Sequence, residues 1–269
     1  MLSGLCGVCE MNFEGKVALV TGSTSGIGEA CARLFAQYGA AVMVCGRHTD
    51  RGHAVTAAIK ASGGAAYFTA ADLRDAGACD RVVDDTLERL GGLDILVNNA
   101  GILYTADALG TTDAQWLDTM AVNVNALFYV SRAAVRHMKS AGGGAIVNIA
   151  SEWGMNGEPR HVAYCASKGA VIQITRCMAL DHAGDRIRVN AVSPGEIHTR
   201  MVDDILSARG GDCAQHLRDL AAGIPLRRLA QPVEVARCVC FLASDLASYV
   251  TGSTLTVDGG NDATAGPYP

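Results

Sequence analysis

Short runs of β-branched and small apolar residues alternate with longer segments of helical period along almost the whole of this 269-residue chain. Such alternation marks successive βαβ units, which assemble as a parallel sheet covered by helices. The strand-like runs are Lys16 to Thr21, Ala41 to Cys45, Ala65 to Ala70, Asp94 to Asn98, Ala145 to Ala150, Arg188 to Val192 and Thr254 to Val257. Helical spacing fills the intervals at Ile27 to Tyr38, Asp50 to Ala61, Asp75 to Leu90, Thr112 to Lys139, Ala163 to His182 and Val233 to Ala243. In Asp75 to Leu90 the period is plainest, with Cys79, Val82, Val83, Leu87 and Leu90 on one face. No linker, repeat or low-complexity tract interrupts the rhythm. The pattern predicts one α/β domain with a doubly wound, seven-stranded parallel sheet and helices on both faces.

Composition excludes several classes of function. Hydrophobic residues make up 49% of the chain and charged residues 18%, enough to bury a large sheet. A net charge of -5 leaves no basic stripe for a phosphate backbone, so nucleic acid is not an expected partner. No apolar run reaches the ~18 residues of a membrane span, and the first ten residues lack the charge and length of a signal peptide. The ten cysteines are irregularly spaced and mostly sit in apolar runs, as Cys31, Cys45, Cys177, Cys238 and Cys240 do. Reduced thiols in a cytoplasmic protein are the expectation. Cys6 and Cys9 form a single Cys-x-x-Cys pair with no second pair to complete a zinc site, so no metal is expected.

Chemistry gathers at the strand ends. Thr21 to Gly28 reads TGSTSGIG between a predicted strand and a predicted helix. Gly22, Gly26 and Gly28 there suit a tight turn, the approach of a pyrophosphate to the backbone, and close packing of helix on strand. The expected ligand is a dinucleotide. Arg47 follows the second strand, where an adenosine ribose would lie. A guanidinium suits the 2′-phosphate of NADP, whereas a carboxylate would suit NAD, so NADP is favoured and NAD remains open. Further on, Ser151 ends the fifth strand, and Tyr164 and Lys168 lie four apart on the next helical segment. Reduction of a carbonyl by hydride leaves an alkoxide that needs a proton and a hydrogen bond, which a phenol and a hydroxyl supply. A lysine beside the tyrosine stabilises the phenolate for the reverse reaction.

Taken in order, TGSTSGIG, NNAG from Asn98 to Gly101, Asn123, Ser151, YCASK from Tyr164 to Lys168, and PGEIHT from Pro194 to Thr199 resemble the short-chain dehydrogenases/reductases, in their short single-domain branch. The resemblance covers nearly the whole chain and implies a Rossmann-like fold and hydride transfer at nicotinamide C4 (class EC 1.1.1.-). It implies a tetrad of Asn123, Ser151, Tyr164 and Lys168, with Asn123 holding a water that links Lys168 to solvent. It also implies cofactor contacts from Ser23, Ser25 and Ile27 in the turn, from Asp72 and Leu73 near the adenine, and from Asn99, Ala100 and Gly101 along the floor. Pro194, Gly195, Ile197 and Thr199 would receive the carboxamide. Relatives that prefer NADP often carry a basic residue where this chain has Ser25, so the cofactor expectation rests on Arg47.

The substrate is a small carbonyl or alcohol that the sequence does not name. Leu103, Tyr104, Glu152, Trp153, Met155, Asn156, His161 and Met201 are the expected pocket residues, with Glu152 and His161 available for a polar substituent. An irregular stretch at about 196–231 is the expected substrate lid. A nucleotide-sensing module without turnover is the competing class, but it would usually lack the tyrosine or lysine. Epimerases and dehydratases of this kind need a larger carboxyl-terminal domain, and enoyl reductases place Tyr and Lys further apart than four. Surplus apolar residues on Thr112 to Lys139 and Ala163 to His182 predict a homotetramer built through helix faces. Residues 1–12 are expected to form a disordered N-terminal extension before the single domain at 13–269, or translation is expected to start at Met11.

Overall fold

The computed structural model describes residues 11–263, and the expectation for residues 1–10 lies outside them. Its strands are β1 (Val17–Thr21), β2 (Ala41–Gly46), β3 (Ala65–Ala70), β4 (Ile95–Asn98), β5 (Gly144–Ile149), β6 (Ile187–Pro194) and β7 (Thr254–Val257). They form one sheet in the order β3-β2-β1-β4-β5-β6-β7, every neighbouring pair parallel. All seven carboxyl ends therefore meet one edge. The order reverses between β1 and β4, and there the chain departs to opposite faces and leaves a crevice.

Alternate residues of each strand feed two separate cores. Ala18, Val20, Val42, Val44, Ile95 and Val97 face α1 (Gly26–Gln37), α2 (Thr49–Ala61) and α9 (Pro232–Ala243). Leu19, Met43, Leu96 and Ile146 face α3 (Ala76–Leu90), α5 (Ala126–Ala141) and the far half of α6 (Val162–His182). Burial on both faces is why these strands read as continuous apolar runs. The polar exceptions are matched across the sheet: Asn98 Nδ2 donates to Asn148 Oδ1 at 2.9 Å and to Ser131 Oγ at 2.8 Å, and Asn148 Nδ2 donates to Thr175 Oγ1 at 2.9 Å. A buried amide chain of this kind ties β4 to β5 and both to the helices that cover them.

Three sequence expectations change. Thr112 to Lys139 is not one helix: α4 (Asp113–Met120) passes into α5 through a π-helical turn at Ala121–Asn125. The widened turn carries Asn123, whose side chain bonds to the chain at Ile102 and to Ser167 of α6. Met11 and Asn12, assigned to the extension, belong to the packed chain. Met11 rests on the core beside Phe13, and Asn12 Oδ1 accepts from the Glu14 amide at 2.8 Å. The stretch at 196–231 is largely helical, with α7 (Arg200–Arg209) and α8 (Cys213–Gly223) joined through Gly210 and Gly211, both at positive φ. The two ends of that stretch are stapled together. His198 N donates to Ala230 O at 2.9 Å, and Ala230 N donates to Glu196 O at 3.0 Å.

Candidate active site

The β1–α1 turn is shaped by what lies beside it just past the end of β4. Asn99 Nδ2 donates to the carbonyls of Thr21 and Gly22, both at 3.0 Å, while the amides of Asn99 and Ala100 donate to Thr21 Oγ1 at 3.0 and 3.2 Å. No side chain fits between. A Cβ on Gly22 would stand 2.7 Å from Ala100 Cα, and one on Gly28 would stand 2.4 Å from Asn99 Nδ2. The glycines thus let the amino end of α1 open directly over the crevice, with Ser25 as its N-cap and no side-chain bond closing it. Backbone N–H groups at such a helix end favour a pyrophosphate, so the residues present fit a dinucleotide.

Gly22, Ser25, Gly26 and Ile27 line the central cleft with Asn99, Ala100 and Gly101. Ser151, Tyr164 and Lys168 line it further along, as do Pro194, Gly195, Ile197 and Thr199. At the outer end, Arg47, Asp72 and Leu73 line an adjoining hollow. Sequence reasoning missed a second cation there. Arg51, in the first turn of α2 and four residues beyond Arg47, lines the same hollow, and its nearness in sequence to Arg47 was the available signal. Partial desolvation, then the positive charges of Arg51, Arg47 and Arg200, hold the exposed His48 imidazole below its ordinary pKa. Asp72 is not a free carboxylate: Arg74 grips it at 3.0 Å and reaches Asp118 as well.

Two assigned cofactor residues act from behind the cleft. Ser23 is fully buried, donating to Val20 O at 2.6 Å and accepting from Cys45 N at 3.0 Å, so its hydroxyl holds β1 to β2 and has no cofactor contact to offer. Gly28 supports the turn by its missing side chain.

The reacting end is tightly built. Ser151 ends β5 in an extended conformation and caps the short turn Glu152–Gly154, accepting from Trp153 N at 3.2 Å. Lys168 is buried, donates from Nζ to Ile149 O at 2.7 Å, and lies 5.5 Å from the Tyr164 ring centre. Burial pushes the Lys168 ammonium down to about 8. Burial also raises the Tyr164 phenol to about 12; the nearby Ser151 hydroxyl opposes this, and Cys165, Glu196 and Glu152 add to it. In the chain alone the phenol is therefore firmly protonated, poised as a donor. Asn123 Oδ1 accepts from Ile102 N at 2.8 Å, and its Nδ2 donates to Ile102 O and Ser167 Oγ. A Cβ on Gly101 would stand 3.5 Å from Asn123 Oδ1 and 3.7 Å from Lys168 Nζ, so Gly101 separates the two.

The expected substrate residues divide. Glu152, Trp153, Met201 and Leu103 line the cleft, joined from α7 by Val202 and Ile205. His161 does not offer a substrate contact: it is buried, with Nδ1 on Pro159 O at 2.8 Å and Nε2 on Thr105 Oγ1 at 3.3 Å, so both ring nitrogens are occupied. Its ring instead backs Trp153 at 4.7 Å, and Trp153 meets Tyr164 edge-on at 6.0 Å. Met155 points to solvent, and Asn156 bonds Asp262, both away from the cleft. Tyr104 lines the outer approach with its hydroxyl on Asp118 at 2.8 Å.

The chain is similar to known proteins over nearly its whole length. A family model described as Enoyl-(Acyl carrier protein) reductase matches residues 22–262. A cyclopentanol dehydrogenase from Comamonas sp. is 42% identical over 92% of this chain and 97% of its own length. The chain belongs to the short-chain dehydrogenase/reductase family. A meso-2,3-butanediol dehydrogenase from Serratia marcescens is 37% identical over 95% of the chain and 98% of its own length. The crystal structure of a short-chain type dehydrogenase/reductase from Mycobacterium marinum superposes with a TM-score of 0.87 at 35% identity, covering 93% of this chain and 97% of the other. As a short-chain dehydrogenase/reductase, the protein is an oxidoreductase that uses a nicotinamide cofactor and transfers hydride between it and a carbonyl or alcohol. Among the described residues no cluster suits a metal ion and no helix is long and apolar enough to cross a membrane.

One electrostatic feature of this site bears on stability. Burial first, then Glu196, raise the Glu152 carboxyl to about 8 from an ordinary 4.5, with Asp258 and Asp262 adding to the shift and Asn261 opposing it. Between those two pH values the folded chain keeps a proton that the unfolded chain has lost, so stability falls as pH rises through that window. Glu152→Gln removes this term. Its melting temperature should gain on the wild type's more at about pH 8 than at about pH 5, and a pH-independent difference in thermal denaturation would contradict the assigned burial.

Proposed function

We propose that this enzyme interconverts a secondary alcohol and its ketone on a small polar substrate, with NADP(H) preferred and Asn123, Ser151, Tyr164 and Lys168 as the working groups. What carries the reading is the meeting of Ser151, Tyr164 and Lys168 in one cleft whose outer end is lined by Arg47 and Arg51. The relatives named for cyclopentanol and meso-2,3-butanediol support a secondary carbinol as the reacting group. When bound, the nicotinamide supplies the hydride acceptor for oxidation and the hydride donor for reduction.

The chain's own groups do the rest. The amino end of α1 with Gly22, Ser25, Gly26 and Ile27 holds the pyrophosphate; Asp72 and Leu73 border the adenine; Asn99, Ala100 and Gly101 form the floor. Pro194, Gly195, Ile197 and Thr199 receive the carboxamide. In reduction Tyr164 gives its proton to the carbonyl oxygen as Ser151 hydrogen-bonds it, and in oxidation the phenolate takes the carbinol proton. Lys168 reaches the nicotinamide ribose and stabilises the phenolate. Because the Asn123 side chain is occupied by Ile102 and Ser167, any water relay there runs from the backbone of the π-helical turn. Met201, Val202 and Ile205 cover the substrate as the inner face of a lid formed by α7 and α8.

Tyr164→Phe should lower turnover about 100 to 10,000-fold while cofactor affinity changes little. Retention of more than about a tenth of wild-type turnover in steady-state assays would contradict the role. Lys168→Ala should weaken cofactor binding as well.

Arg47 and Arg51 together support NADP over NAD by roughly tenfold to a thousandfold, the scale of one to three charged hydrogen bonds partly open to solvent. Arg47→Ala should erode NADP efficiency selectively, and added salt should shrink the loss. Equal or better efficiency with NAD would move the enzyme to the alternative reading, an NAD-dependent alcohol dehydrogenase. The regulatory reading without turnover has no support from a missing tetrad residue.

The exposed apolar side chains Leu117, Phe128 and Leu180 on α4, α5 and α6 support a homotetramer with these helices at its contacts. Light scattering at micromolar concentration should return four times the chain mass, and a monomer would contradict it. The eight cysteines among the described residues are free thiols, four of them buried, which supports a reducing, cytoplasmic setting.

A further inference from the structure

Among the described residues, Glu152 is the one carboxyl that is both nine-tenths buried and part of the wall of the reacting cleft. Its Oε1 accepts a single long hydrogen bond, from Asn261 Nδ2 at 3.5 Å; no hydrogen bond to Oε2 is found among the described residues, and Oε2 is not one of the sealed, unpaired polar atoms, so it is open to the cleft that Glu152 lines. An unbonded carboxyl oxygen open to a cleft, on a side chain otherwise nine-tenths buried, is placed to take a hydrogen bond from whatever fills that cleft. The backbone makes room for it. A Cβ on Gly195, at the opposite wall, would stand 3.1 Å from Oε2 and 2.8 Å from Asp258 Cα.

We propose that Glu152 is a specificity-determining residue whose carboxyl takes a second substrate oxygen, a hydroxyl on the carbon next to the carbinol, so that the enzyme selects vicinal diols and hydroxyketones over simple alcohols. The inference rests on the alcohol–ketone reading above and narrows its substrate class. Ser151 and Glu152 line the same cleft, so a substrate bonded by Ser151 occupies the space that Glu152 also borders. Tyr164 and Lys168 line this cleft as well.

The charge state selects the partner. Glu152 is surrounded by acidic groups, Glu196, Asp258 and Asp262, which together with burial keep its proton in place at neutral pH. A protonated carboxyl both donates and accepts, as a hydroxyl does, and the two can pair in either sense. An anionic substituent would meet the repulsion of the three neighbouring carboxylates, and an apolar one would leave Oε2 unbonded. The occupant that satisfies the carboxyl without adding charge is a hydroxyl or a carbonyl.

The test is the ratio of kcat/KM for a vicinal diol to that for its matched mono-alcohol, 2,3-butanediol against 2-butanol, in the wild type, Glu152→Gln and Glu152→Met. Glu152→Met should cut the ratio about tenfold to a hundredfold, the loss of one buried hydrogen bond, and Glu152→Gln, which keeps a donor and an acceptor, should restore most of it. In the wild type the ratio should fall as pH rises past the loss of the Glu152 proton, and in Glu152→Gln it should not. A ratio within about threefold of the wild type's in a folded Glu152→Met would overturn the role, as would a Glu152→Gln variant no better than Glu152→Met. Preference for an amino alcohol over the diol, growing above about pH 8, would overturn it too, in favour of a charged carboxylate that reads cations. No turnover of any secondary alcohol would take down both readings together, whereas turnover of both substrates with an unchanged ratio would remove the Glu152 role alone.

Discussion

Every feature of the cleft depends on the reversal of strand order between β1 and β4. Parallel pairing sends all seven carboxyl ends to one edge, and the reversal parts the helices there, so the crevice follows from topology before any catalytic residue is placed. What keeps the crevice open at its inner wall is a small set of hydrogen bonds. Asn99 holds the carbonyls of Thr21 and Gly22, while Thr21 Oγ1 accepts the amides of Asn99 and Ala100. With the turn so held, the amino end of α1 faces the crevice at no further conformational cost. A looser turn would let α1 drift along the sheet and scatter its N–H groups.

The reacting end is assembled at the expense of solvation. Lys168 and Tyr164 are both displaced from their ordinary ionisation by burial, in the directions that favour their neutral forms. A pair tuned in this way gains a charged form when a neighbouring charge arrives. Trp153 and His161 contribute by position. The imidazole, with both nitrogens bonded, holds the indole against Tyr164, which fixes one wall of the cleft without any direct chemistry.

The backbone rhythm was legible because the central strands are buried on both faces and the covering helices on one, while the edge strands β3 and β7 keep short apolar runs between turn residues. β3 and β7 fall at the very residues their apolar runs predict, and most other boundaries differ by one or two. The π-helical turn at Ala121–Asn125 was not legible, since it answers to Ile102 and Ser167, partners remote in sequence. For the same reason Ser23 read as a cofactor residue: its position in the turn is visible in sequence, its bonds to Val20 and Cys45 are not. His161 and Met155 were assigned to the pocket by nearness to Ser151 and Tyr164. The loop between β5 and α6 sends one inward to Pro159 and Thr105 and the other to solvent. Arg51 was within reach of sequence reasoning through its place four residues after Arg47, at the start of a predicted helix. Its value became plain only once α2 was seen to bring both to the same hollow.

The central claim is that hydride passes directly between the carbinol carbon of a secondary alcohol and the cofactor held in this cleft. It is tested most directly by incubating the enzyme and oxidised cofactor with a secondary diol deuterated at the carbinol carbons, then examining the reduced cofactor by mass spectrometry. The account predicts that the label appears at nicotinamide C4, on a single face, and that Tyr164→Phe all but abolishes its appearance. Reduced cofactor formed without the label, or labelled at the same rate by the Phe variant, would contradict it.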